Sequence, residues 1–91
     1  MYTSVEQQIF NDAAYKLGTS HRLAYSLIKW RQRTHDMASS FEWVAQHMGV
    51  TVDRAKKACN DLRRAGLISI EYPWHEPAQL RITEVTKNAQ G

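Results

Sequence analysis

Residues 39–68 read SSFEWVAQHMGVTVDRAKKACNDLRRAGLI, and the changes of period inside this stretch decide the fold. Phe41, Val44, Ala45 and Met48 recur at i, i+3, i+4 and i+7, the spacing of one apolar stripe on a helix. Ser39 with Glu42 three residues on has the capping-box form, which predicts that this helix begins there. Gly49 supplies a residue able to take φ > 0 and end it. Thr51 predicts the cap of a second helix only two residues later, and Asp53 in its first turn suits the helix dipole. This second helix turns Ala55, Ala58, Cys59 and Leu62 to one side, while Arg54, Lys56, Lys57, Asn60, Asp61, Arg63 and Arg64 fill the rest. It stops at Gly66, where Leu67, Ile68, Ser69 and Ile70 switch to the alternation of a strand.

A helix, a sharp turn, a basic helix and an immediate strand have helix-turn-helix geometry. On Val44 and Ala45, on Met48-Gly49-Val50 at the turn, and on Ala55 and Ala58, the chain resembles the winged helix-turn-helix superfamily of bacterial and phage regulators. Ala45 stands where that family has a small residue so that the two helices can approach. Leu62-x-x-x-Gly66-Leu67-Ile68 is similar to its passage from recognition helix into wing. Ala55 and Cys59 depart from the pattern, standing where a larger aliphatic residue is usual, so the core beneath them is either thinner or filled from elsewhere. The resemblance covers roughly residues 20–84 and names no subfamily. It implies a mainly α fold with a small β-hairpin: a single winged helix-turn-helix domain over 1–91, with an N-terminal helix over 1–19, the three-helix core and wing over 20–84, and a polar tail over 85–91.

Ninety-one residues suit one domain, and 43% hydrophobic residues support a single modest core rather than a large buried active site. One cysteine excludes an internal disulfide framework, and there is no Cys/His cluster spaced to hold a metal. No apolar run approaches a membrane span, and the N-terminus lacks a signal peptide's charge-then-apolar form, which predicts the cytoplasm and no membrane partner. No nucleophile–base–orienter set and no glycine-rich phosphate loop is visible, so the expectation is a protein without catalysis and without a cofactor.

The net charge is only +3, yet it is unevenly spread. Residues 20–35 carry Arg22, Lys29, Arg31 and Arg33 without an acid, and residues 51–66 carry five basic and two acidic side chains. Cations gathered on two helices are the footprint of a phosphate backbone; a solvated helix face is the competing explanation.

Before the central unit, Ile9, Phe10, Ala13, Ala14 and Leu17 predict a helix over 4–17 that opens at Ser4 and Gln7, ends at Gly18, and packs on the core or pairs two copies. Tyr2 and Tyr15 read as packing residues. A second helix is predicted over 20–34, capped by Ser20 and burying Leu23, Ala24, Leu27, Ile28 and Trp30. Arg22, Lys29 and Arg33 share its exposed face, where they would steady a nucleic-acid backbone without reading sequence. Residues 34–38 form a connector in which Met37-Ala38 would add a brief strand. His35-Asp36 reads as a surface pair.

Beyond it, Ile68, Ile70 and Tyr72 alternate on one arm of a predicted hairpin over 67–84, and Leu80 and Ile82 on the other. Its tip, Pro73-Trp74-His75-Glu76-Pro77-Ala78-Gln79, has no Arg or Lys, whereas a wing entering the minor groove usually offers one. Trp74 there can stack on nucleic acid, anchor a protein, or fold back over the core. Trp43, facing away from its helix's apolar stripe, packs on a neighbouring element or anchors a partner. Cys59 reads as a small buried residue.

The function expected is sequence-specific binding of double-stranded DNA, by a small transcriptional regulator or accessory factor of a bacterium, phage or plasmid. Residues 51–65 would enter the major groove. Thr51, Arg54, Lys57 and Asn60 would reach bases or the first phosphates, Lys56 and Arg64 would bind phosphates, and Arg22, Lys29 and Arg33 would flank them. Asp53 and Asp61 are a cost near a polyanion, and their pairing with Lys57 and Arg64, at i+4 and i+3, would weaken this reading. A homodimer would match a palindromic site. The alternative is a winged-helix module that binds a protein, such as a phage inhibitor or assembly adaptor, through Trp43 and Trp74.

Overall fold

Each helix of the central unit ends where a specific hydrogen bond ends it. In this computed structural model, which describes residues 9–11 and 15–83, α1 spans Thr19–His35, α2 Phe41–Met48 and α3 Val52–Arg64, followed by β1 Ile68–Glu71 and β2 Gln79–Ile82. The architecture is mainly helical with a two-stranded antiparallel hairpin.

The α2 cap is Ser40, whose Oγ accepts the Trp43 N–H at 3.1 Å. The expected cap, Ser39, is instead held extended by an antiparallel bridge: Ser39 N–H donates to Leu80 O at 3.0 Å and Leu80 N–H to Ser39 O at 2.8 Å. That pairing moves the helix start on by one residue, so Glu42 no longer sits at the position a capping box needs. The expected brief strand at Met37-Ala38 is thus replaced by a single bridging residue, Ser39. β2 therefore lies between β1 and Ser39.

Gly49 takes φ 74, which lets both its own N–H and that of Val50 reach the Ala45 carbonyl, at 2.9 and 3.1 Å. Thr51 then caps α3, its Oγ1 accepting from Arg54 N–H at 3.3 Å. At the other end Gly66, φ 84, allows Gly66 N–H to bond Arg63 O and Leu67 N–H to bond Leu62 O, a Schellman closure. A Cβ at either glycine would meet nothing within 4 Å, so backbone conformation rather than space selects glycine.

The core gathers Ile28 and Tyr25 of α1, Phe41, Val44 and Ala45 of α2, Ala55, Cys59 and Leu62 of α3, then Leu67, Ile68, Leu80 and Ile82. The small Ala55 and Cys59 are thus compensated by α1 and β2. Ile68 pairs with Ile82 and Ile70 with Leu80 on the inner face of the hairpin. Tyr72 falls beyond β1 and is exposed.

α1 departs from its expected face. Ala24, Tyr25 and Ile28 are buried, but Leu23 is 44% and Trp30 53% exposed. The buried strip is turned by about one residue step, roughly 100°, toward His21 and Gln32. Both are polar and therefore read as outward-facing in a hydropathy pattern. Here His21 bonds Asp61, and Gln32 Oε1 accepts the Ile82 N–H at 2.8 Å. The helix starts at Thr19, with Gly18 rather than Ser20 as the preceding cap residue.

Residues 9–11 are helical, and Phe10 packs edge-on against Tyr25 at 5.5 Å. The predicted first helix does not run to Leu17, since residues 16–18 are not helical and Lys16 has φ 52. The remainder of that expectation, with Ser4, Gln7, Ala13, Ala14 and Tyr2, falls outside the described residues, as does the tail.

Candidate nucleic-acid interface

Burial of Ala55, Ala58, Cys59 and Leu62 fixes the rotation of α3 and turns its charged residues outward. Lys57 and Arg64, seven residues apart, lie on one line of the helix; their side chains are 81% and 73% exposed. Beside them opens a cleft of about 660 Å³ lined by Tyr15, Lys16, His21, Lys57, Asp61 and Arg64. Arg54 lies on the adjoining flank with Ser20, Met48 and Val50. The segment before α1 therefore brings Lys16 alongside the cations of α3. Tyr15 lines the cleft and is exposed, where a packing role was expected.

Asp61 organises this cleft. Gly18 N–H donates to His21 Nδ1 at 3.0 Å, so Nε2 carries the ring hydrogen and donates to Asp61 Oδ2 at 2.9 Å. Arg64 donates to Oδ1, and Lys57 Nζ stands 3.9 Å from Oδ2. Burial pushes the Asp61 carboxyl up, but the His21 hydrogen bond, the Lys57 charge and the Arg64 hydrogen bond together outweigh it and hold its pKa below the usual aspartate value. The acid is thus a strut between α1 and α3.

A depressed folded pKa means that the contribution is present above the unfolded value, about 3.9, and is lost as pH falls through the folded one. Asp61→Asn is accordingly expected to lower stability at neutral pH by about 1–3 kcal/mol and to flatten the loss of stability on acidification below about pH 4. Urea unfolding of both proteins at several pH values checks it. An unchanged acid limb would show that Asp61 is not linked to folding. The exposed Lys57 and Arg64 partners add little to that figure, which rests on the part-buried His21 bond.

Elsewhere on α3, Thr51 Oγ1 is engaged in the cap, leaving its hydroxyl hydrogen able to donate. Asn60 Nδ2 donates to Lys56 O at 3.0 Å, so its amide is turned to its own helix rather than toward a base. Lys56 leans the other way, its ammonium 5.5 Å from the Phe41 ring. Arg22 stacks over Phe10 at 4.8 Å and donates to Asn11 Oδ1 at 3.1 Å. Lys29 lies 5.8 Å from the Tyr25 ring, and Arg33 is exposed. Arg22, Lys29 and Arg33 do not line the cleft beside α3. Lys16 and His21 do, and no local pattern marks them, because His21 meets Asp61 across a separation of 40 residues.

The tryptophans sit on two other features. Trp43 is half-buried, with the Arg31 guanidinium 4.6 Å over its ring and His47 stacked at 4.2 Å, which is the packing role expected of it. Trp30, expected in the core, lies at the surface against His35. Trp74 is 84% exposed at the hairpin tip, touching His75 edge-on at 4.7 Å, so it does not cap the core. Burial pushes the Cys59 thiol up to about 12, which leaves it unreactive.

No protein-family model matches this chain, and no curated protein sequence does so. Among the described residues, no helix is long and apolar enough to cross a membrane. Nor do three His, Cys, Asp or Glu side chains gather as metal ligands among them.

Proposed function

We propose that this chain is a winged helix-turn-helix protein that binds double-stranded DNA, a small cytoplasmic regulator or accessory factor acting without catalysis. α3 is then the recognition helix, β1 and β2 the wing, and Gly49 the centre of the turn between α2 and α3. The observation that carries the reading is the gathering of Arg54, Lys57, Arg64 and Lys16 on the outer side of α3, the helix that follows the tight turn. Arg54, in the first turn, is best placed to reach a guanine edge. Lys57, Arg64 and Lys16 serve phosphates, while Asp61 pairs with both α3 cations and offsets part of their charge, which counts against the reading. Fluorescence anisotropy with a mixed-sequence duplex over a salt series tests it: the expected log–log slope is roughly −3 to −6, several counterions at about 0.9 each. Flat and negligible binding at low salt rejects it.

A second reading, a winged-helix module that binds a protein, is favoured by one feature: a hairpin tip that exposes Trp74 and carries no Lys or Arg from residue 67 to 79.

A further inference from the structure

His21 ties three parts of the molecule together. Its Nδ1 accepts the Gly18 N–H at 3.0 Å and its Nε2 donates to Asp61 Oδ2 at 2.9 Å. The segment before α1, α1 itself and α3 thus meet at one imidazole, whose side chain is 18% exposed. Histidine is the side chain whose charge changes between about pH 5 and 8. A neutral ring accepts at one nitrogen and donates at the other, whereas a protonated ring donates at both. Proton uptake at Nδ1 therefore sets two N–H donors, those of Gly18 and of the ring, against each other, while it turns the Asp61 hydrogen bond into an ion pair. The segment that the Gly18 bond anchors already holds a costly backbone shape, since Lys16 stands at φ 52.

We propose that His21 is a proton-operated latch on the α3 cleft: protonation releases Gly18 and the segment that carries Tyr15 and Lys16, and raises the positive charge that meets the duplex. The release stands on its own; the effect on the duplex rests on the DNA reading above. Among the described residues, the charged and titratable groups that share a cleft with His21 are Asp61, Lys57, Arg64 and Arg54 of α3 and Tyr15 and Lys16 of the preceding segment, and α2 adds only the uncharged Met48. On α1 itself, Arg22 and Tyr25 are turned to Phe10. Asp61 alone favours a charged ring, and the four cations oppose it. Three cations and one carboxylate among the described residues line the larger cleft, a net of two positive charges that becomes three when the ring is protonated. The imidazolium also shares Asp61 Oδ2 with Lys57, which stands 3.9 Å from that oxygen, so less of the Lys57 charge is offset. A polyanion lying on Lys57, Arg64 and Lys16 neutralises the charges that oppose the imidazolium. Duplex binding and proton uptake therefore favour each other.

Without DNA, the His21 ring and the Gly18 amide are followed by NMR from roughly pH 8 to 5.5, the range in which imidazoles titrate. The Gly18 amide signal is expected to shift with the midpoint of the His21 ring, and its protection from exchange, corrected for the intrinsic rate, to fall by about fivefold, the worth of one hydrogen bond. With a mixed-sequence duplex at about 0.1 M salt, affinity is expected to rise about five- to tenfold across the same range, as one further cation displaces about 0.9 of a counterion. His21→Gln, which still forms hydrogen bonds but has no proton to gain, should bind equally at both ends of the range. A His21 ring that stays neutral throughout, or a Gly18 amide that ignores its titration, would overturn the latch. So would salt-dependent binding that is the same at both ends for the wild type, or a His21→Gln protein that keeps the full pH dependence. A protein that binds no duplex at any pH rejects the DNA reading instead, and the Gly18 amide then decides the latch by itself.

Discussion

Leu62→Ala is expected to remove about 2–5 kcal/mol of stability, a large part of what a domain of this size possesses. Leu62 is fully buried in the core that α1, α2, α3 and the hairpin share. The midpoint of urea unfolding should drop with little change in slope. Leu23→Ala serves as the comparison, since its side chain is 44% exposed and should cost within about 0.5 kcal/mol. Equal losses at the two positions would contradict the rotation of α1 that buries Tyr25 and exposes Leu23.

The second large effect concerns α3. Arg54→Ala with Lys57→Ala is expected to weaken binding to mixed-sequence DNA by on the order of a hundredfold at low salt and to reduce the magnitude of the log–log slope by about one to two. The reason is counterion release: each phosphate that no longer meets a side-chain cation retains about 0.9 of a counterion on the duplex. Both side chains are exposed and neither supports the core, so unfolding midpoints should change little. A double variant that binds as the wild type does, with the same slope, would move the contact surface away from α3. Arg22→Ala, whose guanidinium is occupied by Phe10 and Asn11, should have a smaller effect than either.

Sequence by itself determined the elements whose ends are written in single residues. Gly49 and Gly66 stop their helices because a left-handed φ is needed there, and Thr51 caps α3 because its hydroxyl reaches the Arg54 N–H. The buried side of α3 was equally legible, since Ala55, Ala58, Cys59 and Leu62 are the only apolar residues at helical spacing between Asp53 and Arg64. The inner residues Ile68, Leu80 and Ile82 follow from strand alternation.

Tertiary structure decided what depends on partners far along the chain. Ser39 and Ser40 are equivalent as caps until Leu80 claims the backbone of Ser39. The face α1 buries is set by His21 meeting Asp61 and Gln32 meeting Ile82, polar contacts that hydropathy counts as solvent-facing. Trp30 is turned to the surface by that same rotation, and with Met37 and Trp43 it makes a cleft that no periodicity announces. The cations of α3 were visible in the sequence; Asp61 and the segment before α1 made Lys16, Lys57 and Arg64 neighbours. Local patterns fix local hydrogen bonds, and long-range packing chooses among the faces they leave open.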